Sequence, residues 1–306
     1  MNGTARFRID RRAVARAANR ASARYASARY AAAAQLPARV NAELLERLQF
    51  FRLEPRVIID LGCGAGEGAM ALRRRFPRAR VVAIDLAFGM TRQARRGQRF
   101  WRRFECVCAD AYALPLASQS VDLVFSSLML QWCDDPLALF AQLQRVLRPG
   151  GLVLFSSFGP DTLHELRDAW AVADAHSHVS AFADMSQLGA AISHAGLAEP
   201  VIDREIQLRH YPQVRELMDQ LRAVGASHAA ADRRRSLTGP GRIRSMVDAY
   251  ELLRTAAGLP ASWEVIYGAA FAGTGRTGRA GPGSDRSTGE TTVPLSAVRS
   301  RPSTSS

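Results

Sequence analysis

The residues best suited to chemistry stand at the ends of short apolar runs. Val57-Ile58-Ile59-Asp60-Leu61 leads straight into Gly62-Cys63-Gly64-Ala65-Gly66, and a helical pattern follows. A strand running into a glycine-rich turn lets the backbone bend tightly and brings a ligand against the free amides at a helix N-terminus. The spacing selects among ligands. A dinucleotide fingerprint requires glycine at position 67, where the chain has Glu67, so a pyrophosphate is disfavoured. Two further acids follow strand-like runs: Asp85 closes Val81-Val82-Ala83-Ile84, and Asp110 comes just after Phe104 to Ala109. A carboxylate at Asp85 suits the two hydroxyls of a ribose, and one at Asp110 suits the exocyclic amine of adenine. Each acid alone is better read as a helix N-cap or loop carboxylate. Three strand-end acids beside one glycine turn reverse that preference, because ligands of open α/β sheets bind outside the carboxyl ends of strands.

Such an array needs a parallel sheet to align it. Strands are expected at Val57–Leu61, Ala79–Ile84, Phe104–Ala109, Val121–Ser126 and Leu152–Phe158, and further ones at Val201–Tyr211 and Trp263–Phe271. Helical patterns fill the gaps at Gly68–Phe76, Met90–Phe100 and Pro136–Leu147, the last ended by Pro149-Gly150-Gly151. Two more helices are expected at Asp161–Ala173 and Met185–Ala195, with Gly196 as the C-terminal cap of the second. The fold class is therefore α/β, a doubly wound, mostly parallel sheet of seven strands. Residues 1–55 read as an N-terminal helical segment, 56–271 as the main domain, and about 212–262 as an inserted helical lid, too long for an ordinary connection. Residues 272–306 are rich in Gly, Ser and Thr and too poor in apolar groups to order well.

Composition narrows the function classes. No apolar run is long enough to cross a membrane, and no apolar stretch follows the N-terminal arginines as in a secretory signal, so a cytoplasmic protein without a membrane partner is expected. Cys63, Cys106, Cys108 and Cys133 match neither a disulfide framework nor a zinc pattern and read as reduced thiols. The histidines form no ligand set, so no metal is expected. The net charge is +13, and every basic residue is arginine. Biased composition alone would produce this; an attraction to a polyanion is the functional alternative. Residues 1 to 56 carry much of the surplus, and Arg233-Arg234-Arg235 form a second cluster. No aromatic-interleaved basic stripe or reading helix is evident, so nucleic acid is not an expected partner.

The glycine turn, Asp85, Asp110 and the Leu147-Arg148-Pro149-Gly150-Gly151 turn together resemble the class I S-adenosylmethionine-dependent methyltransferases. The resemblance implies a Rossmann-like fold with S-adenosylmethionine as cofactor. It implies that Asp60, Gly62, Gly64 and Gly66 hold the methionine end, Asp85 the ribose, and Asp110 with Ala111 the adenine. Leu86, Met90 and Ser127 complete that cofactor set. Ser126 to Asp135, Phe155 to Arg167, Phe182-Ala183-Asp184-Met185 and Arg235-Ser236-Leu237-Thr238-Gly239 are similar to the malonyl-[acyl-carrier protein] O-methyltransferases of biotin synthesis. So is the run from Tyr30 to Leu36. Because Ala-Ser-Ala-Arg-Tyr occurs twice, at 21–25 and 26–30, Tyr25 and Tyr30 compete for one position.

The reaction this resemblance implies needs alignment more than acid–base chemistry. A malonyl carboxylate is ionised near neutral pH, with an ordinary pKa of about 4, so no general base is required. Gln131 and Trp132 are expected near the transferred methyl, with Tyr30 closing over it; a core position for Trp132 is equally consistent with the sequence. An arginine would suit the acceptor carboxylate, but the sequence does not single one out. Acyl carrier proteins are acidic, which makes Arg233, Arg234 and Arg235 the expected docking patch. Two alternatives remain at this point: a related methyltransferase acting on a small free carboxylic acid such as an aconitate, and a non-catalytic assembly or binding protein on the same fold.

Overall fold

The structure, a computed structural model, describes residues 9–98, 103–224 and 239–273, without the side chains of Ala28 and Arg29. Seven strands form one sheet: β1 Val57–Leu61, β2 Arg80–Asp85, β3 Glu105–Cys108, β4 Val121–Ser126, β5 Leu147–Phe158, β6 Leu197–Tyr211 and β7 Leu259–Ala272. Their spatial order is β3-β2-β1-β4-β5-β7-β6. The first five pair in parallel, and β7 runs antiparallel between β5 and β6. Ile58 and Ile59 of β1 are fully buried, as expected of a strand covered on both faces. The order reverses between β1 and β4, which leaves a crevice at the carboxyl edge where the glycine turn and the strand-end acids lie.

Ten α-helices accompany the sheet among the described residues. Three precede it: α1 Arg11–Ser22, α2 Ala28–Ala33 and α3 Gln35–Arg47. Asp10 caps α1 by accepting from the Ala13 amide, and Ser27 caps α2 through the Tyr30 amide. The remainder are α4 Glu67–Arg75, α5 Phe88–Arg96, α6 Pro136–Val146, α7 His164–Ala173, α8 Met185–His194, α9 Val214–Ala223 and α10 Pro240–Glu251. Leu36, Val40 and Leu44 of α3 share one apolar cluster with Ile58 and Leu123 of the sheet and with Leu217 of α9. Leu139, Phe140, Leu188 and Ile192 of α6 and α8 cover the other face with Ile59, Val124 and Val153. Of the N-terminal helices, α3 is thus packed into the main core. On the outside, α1 lies along α5: Gly89 N–H donates to Asn19 Oδ1 at 2.7 Å, and Gln93 Nε2 donates to the Ser22 carbonyl at 3.0 Å.

Several boundaries differ from the sequence expectation, each for a long-range reason. β5 begins at Leu147 because Leu147 already pairs with Val121, and Arg148 reaches Asp122 at 2.6 Å. α7 begins three residues after Asp161, because the Asp161 amide donates to Glu264 Oε2 at 2.8 Å and the Thr162 hydroxyl donates to the Glu264 carbonyl at 3.0 Å. Those bonds commit the start of the segment to β7. β6 and β7 are longer than expected, pairing from Leu197↔Ala272 to Tyr211↔Leu259. Of the expected lid, α9 and α10 are described and 225–238 lie outside the described residues. Phe100 and the tail beyond Gly273 lie outside them as well.

Gly268 sits in β7 opposite Phe155 of β5, and a Cβ at this position would collide with the Phe155 ring. Phe155 is fully buried against Phe140, with ring centroids 5.5 Å apart, so the ring has little room to move. We expect Gly268→Ala to destabilise the fold by about 1–3 kcal/mol through overpacking, read as a lower urea midpoint with an unchanged slope. A midpoint equal to that of the parent protein would contradict this packing.

Candidate active site

At the carboxyl edge of the sheet, under α1, α2 and α9, the chain encloses a cavity of about 280 Å³. Gly62 and Gly64 approach it after β1, Asp85 and Leu86 at the end of β2, and Asp110 and Ala111 after β3. Ser127, Gln131 and Trp132 line it after β4, and Met90 faces it from α5.

The first wall is built by the glycine turn and Asp85. Gly62 has φ +74°, and a Cβ there would strike the Met129 side chain, so no other residue fits between the turn and the β4 loop. Gly64, at φ +53°, has open space where a Cβ would stand, which leaves its backbone accessible to a ligand. Its N–H donates to Asp85 Oδ2 at 3.0 Å, while Ala87 N–H donates to Asp85 Oδ1 at 2.8 Å. Burial raises the Asp85 pKa and the two amides draw it down. Each carboxylate oxygen retains a lone pair for a ligand hydroxyl.

Asp60 and Gly66 take a different place. Asp60 is 2% exposed and does not line the cavity. It lies beneath α4, where a Cβ on Gly68 would come 2.9 Å from its Oδ2. Burial pushes its pKa up to about 7; the Ala69 amide opposes this and the nearby Asp85 charge adds to it. Gly66 packs against α5 and Phe104, with Ala94 Cβ 2.9 Å from where its own Cβ would be.

The β4 end is a tight loop. Leu128, with φ +51°, is held by Ser156, whose hydroxyl and carbonyl both accept from its N–H at 3.1 and 3.2 Å. A short 3₁₀ turn, Leu130–Trp132, then presents Gln131 and Trp132. Gln131 is 8% exposed; its Nε2 donates to the Leu128 carbonyl, and its Oε1 has no partner among the described residues. An acceptor buried without a donor at a cavity wall is a position for a ligand donor.

Of the two competing tyrosines, Tyr30 lines the cavity. Tyr25 stands behind it, 5.1 Å between ring centroids, and its hydroxyl donates to Glu67 Oε1 at 3.2 Å. Burial, followed by the Glu67 charge, pushes the Tyr30 phenol up to about 12, so it is a neutral hydroxyl at any working pH. The sequence reading missed other wall residues. Arg11, counted there only as charge, pairs with Asp110 Oδ2 at 2.8 Å and lies 4.8 Å from the centre of the Tyr112 ring. Phe158, Arg209, Tyr211 and Trp263 line the far side. Their common signal was position: each stands near an end of β5, β6 or β7 on the edge where the acids cluster. Arg233, Arg234 and Arg235 lie outside the described residues. No group of three or more metal-ligating side chains occurs among the described residues.

The cavity therefore has one end with carboxylates and an open glycine backbone fitted to a nucleoside, and another with aromatic walls. The Gly64 cradle, the Asp85 lone pairs and the orphaned Gln131 Oε1 fit the sulfonium nucleoside that the sequence resemblance implies.

Asp60 gives this frame a pH signature. An acid whose folded pKa exceeds its unfolded value, near 4, favours the folded state when protonated, so its contribution is greatest at low pH, falls as pH climbs from about 4 through about 7, and is level above. We expect the stability of Asp60→Asn relative to the parent protein to increase between about pH 5 and about pH 8 in urea unfolding. A difference that does not change with pH would show that Asp60 ionises freely.

Residues 59–155 match the family described as a methyltransferase domain. A malonyl-[acyl-carrier protein] O-methyltransferase of Xylella fastidiosa is 46% identical over 244 residues, covering 79% of this chain and 82% of that protein. One of Halorhodospira halophila is 42% identical over 295 residues, covering 96% of this chain and 97% of that one. Among solved structures, the YcgJ protein of Bacillus subtilis superposes with a TM-score of 0.55 at 15% identity, over 77% of this chain and 99% of its own, a likeness of fold. By identity and by coverage of both chains, this chain belongs to the malonyl-[acyl-carrier protein] O-methyltransferase family.

Proposed function

We propose that the chain transfers a methyl group from S-adenosylmethionine to the free carboxylate of a malonyl group held on acyl carrier protein, giving the methyl ester that enters biotin synthesis. The observation that carries this reading is the identity to proteins of that name over 96% of the chain, on a fold whose cavity fits the donor. The donor supplies a methyl group on positively charged sulfur that departs as a neutral thioether. Asp85 accepts from the ribose hydroxyls, and Asp110 with Ala111 flanks the adenine. Gly62, Gly64 and Ser127 border the methionine end, Leu86 and Met90 pack along the nucleoside, and Asp60 and Gly66 act from below by fixing the turn.

The acceptor carboxylate is already an anion at neutral pH. Trp132 and Tyr30 flank it and exclude water while Gln131 lies at the meeting point of donor and acceptor, which is where catalysis by orientation gains most. Masking the charge as an ester changes what later enzymes see: a malonyl end becomes an apolar one. Arg233, Arg234 and Arg235 receive the acidic carrier, in keeping with the net charge of +13. Among the described residues no helix is long and apolar enough to cross a membrane, and we place the reaction in the cytoplasm.

Methyl transfer from labelled S-adenosylmethionine, with malonyl-acyl carrier protein, malonyl-coenzyme A and free malonate as parallel acceptors, tests the assignment. We expect kcat/KM for the carrier-bound group to exceed that for free malonate by roughly 100-fold, because binding of the remote carrier lowers the barrier at the reacting end. Cofactor binding with no ester on any acceptor would overturn the substrate assignment. Replacing Arg233, Arg234 and Arg235 together by alanine is expected to raise KM for the carrier several-fold, more at low salt, and to leave malonyl-coenzyme A unaffected. Equal loss on both acceptors would remove these arginines from carrier docking.

A further inference from the structure

Two arginines line the cavity, and only one has its charge matched. Arg11 is paired with Asp110 at the adenine end. Arg209 lies in β6 near the opposite edge of the sheet and forms no ion pair with any described residue. It shares a face of β6 with Tyr211, two residues on. Its guanidinium is close enough to the Tyr211 phenol for its charge to draw that group's pKa down, against the larger upward push of burial. Tyr211 is itself held, its hydroxyl donating to Gln220 Oε1 of α9 at 3.0 Å.

The wall that Arg209 shares also carries the rings of Phe158 and Trp263. Phe158 and Trp263 pack with ring centroids 5.3 Å apart, and each is 7% exposed. With Gln131, Trp132 and Leu221 they also line a side pocket of about 60 Å³, so the β4 loop and the start of β7 meet on one side of the cavity. An anionic acceptor entering between such walls loses its hydration and needs a fixed cation to replace it. A guanidinium offers two parallel donors to a carboxylate and remains charged at every working pH.

We infer that Arg209 binds the carboxylate of the methyl acceptor and selects malonyl over acyl groups that lack this charge. The inference rests on reading the acceptor as a malonyl carboxylate. Arg209 would pair with the two carboxylate oxygens, leaving a lone pair on one of them for the methyl, beside a Tyr211 ring that Gln220 fixes. The arginine acts on binding and alignment and exchanges no proton.

The test compares the parent protein with Arg209→Gln and Arg209→Lys. Methyl transfer to malonyl-acyl carrier protein should fall roughly 100-fold in kcat/KM in the glutamine variant, through loss of a desolvated charge pair, and the lysine variant should recover part of it. S-adenosylhomocysteine affinity and thermal unfolding should be unchanged in both. A merely structural role is separated by selectivity: malonyl-acyl carrier protein should bind the parent protein more tightly than acetyl-acyl carrier protein, and Arg209→Gln should bind the two alike. A glutamine variant that keeps the parent's kcat/KM or its preference for malonyl would overturn the inference while leaving the function intact. Absence of methylation by the parent protein would overturn both.

Discussion

One half-buried carboxylate and two backbone amides hold the cavity in its shape. Asp85 accepts from Gly64 in the turn after β1 and from Ala87 at the start of α5, which ties two neighbouring strand ends to a single side chain. Register brings them together: Leu61 pairs with Ile84, so the glycine turn begins where β2 ends. Gly62 and Cys63 continue the tie, both donating to the Ile84 carbonyl at 2.8 and 3.0 Å. A carboxylate charge with two amide donors is a stronger constraint than neutral hydrogen bonds would provide, and it leaves lone pairs facing the cavity. The same groups that position the turn are thus the groups a ribose would meet.

Around that frame the cavity is electrically lopsided. At the β3 end, Asp110 is tied to Arg11, and the Ile9 amide donates to Asp134 Oδ2 at 3.2 Å, so the start of α1 is strapped over the adenine side. The Tyr112 hydroxyl joins this strap by donating to Asp134 Oδ1 and accepting from the Asp135 amide. At the other end the walls are aromatic. A cationic donor and an anionic acceptor can therefore enter regions of different character and meet at the β4 loop, where Leu128 takes a left-handed backbone to present Ser127 and Gln131.

The order of elements and the strand-end acids were legible in the sequence because both depend on local pattern. Val57–Leu61 and Val121–Ser126 fall where the apolar runs place them, since parallel strands buried on both faces are written as continuous apolar stretches. What depends on distant partners was not legible. Asp60 and Gly66 belong to the same motif as Gly62 and Gly64, yet they turn towards α4 and α5, because the turn has an inner and an outer side that spacing does not distinguish. The repeat at 21–30 left two tyrosines equivalent until α2 packed and turned Tyr30 inward. Arg209 was hidden among many arginines, since only pairing of β6 with β7 carries it to the cavity.

The most direct measurement is a crystal structure of the protein with S-adenosylhomocysteine. We expect the ribose hydroxyls on the Asp85 carboxylate, the adenine between Asp110 and Met90, and the sulfur facing Gln131 and Trp132 with open space towards Arg209. A ligand seated away from Asp85, or one whose sulfur faces the β3 side, would contradict the arrangement of donor and acceptor ends on which this account rests.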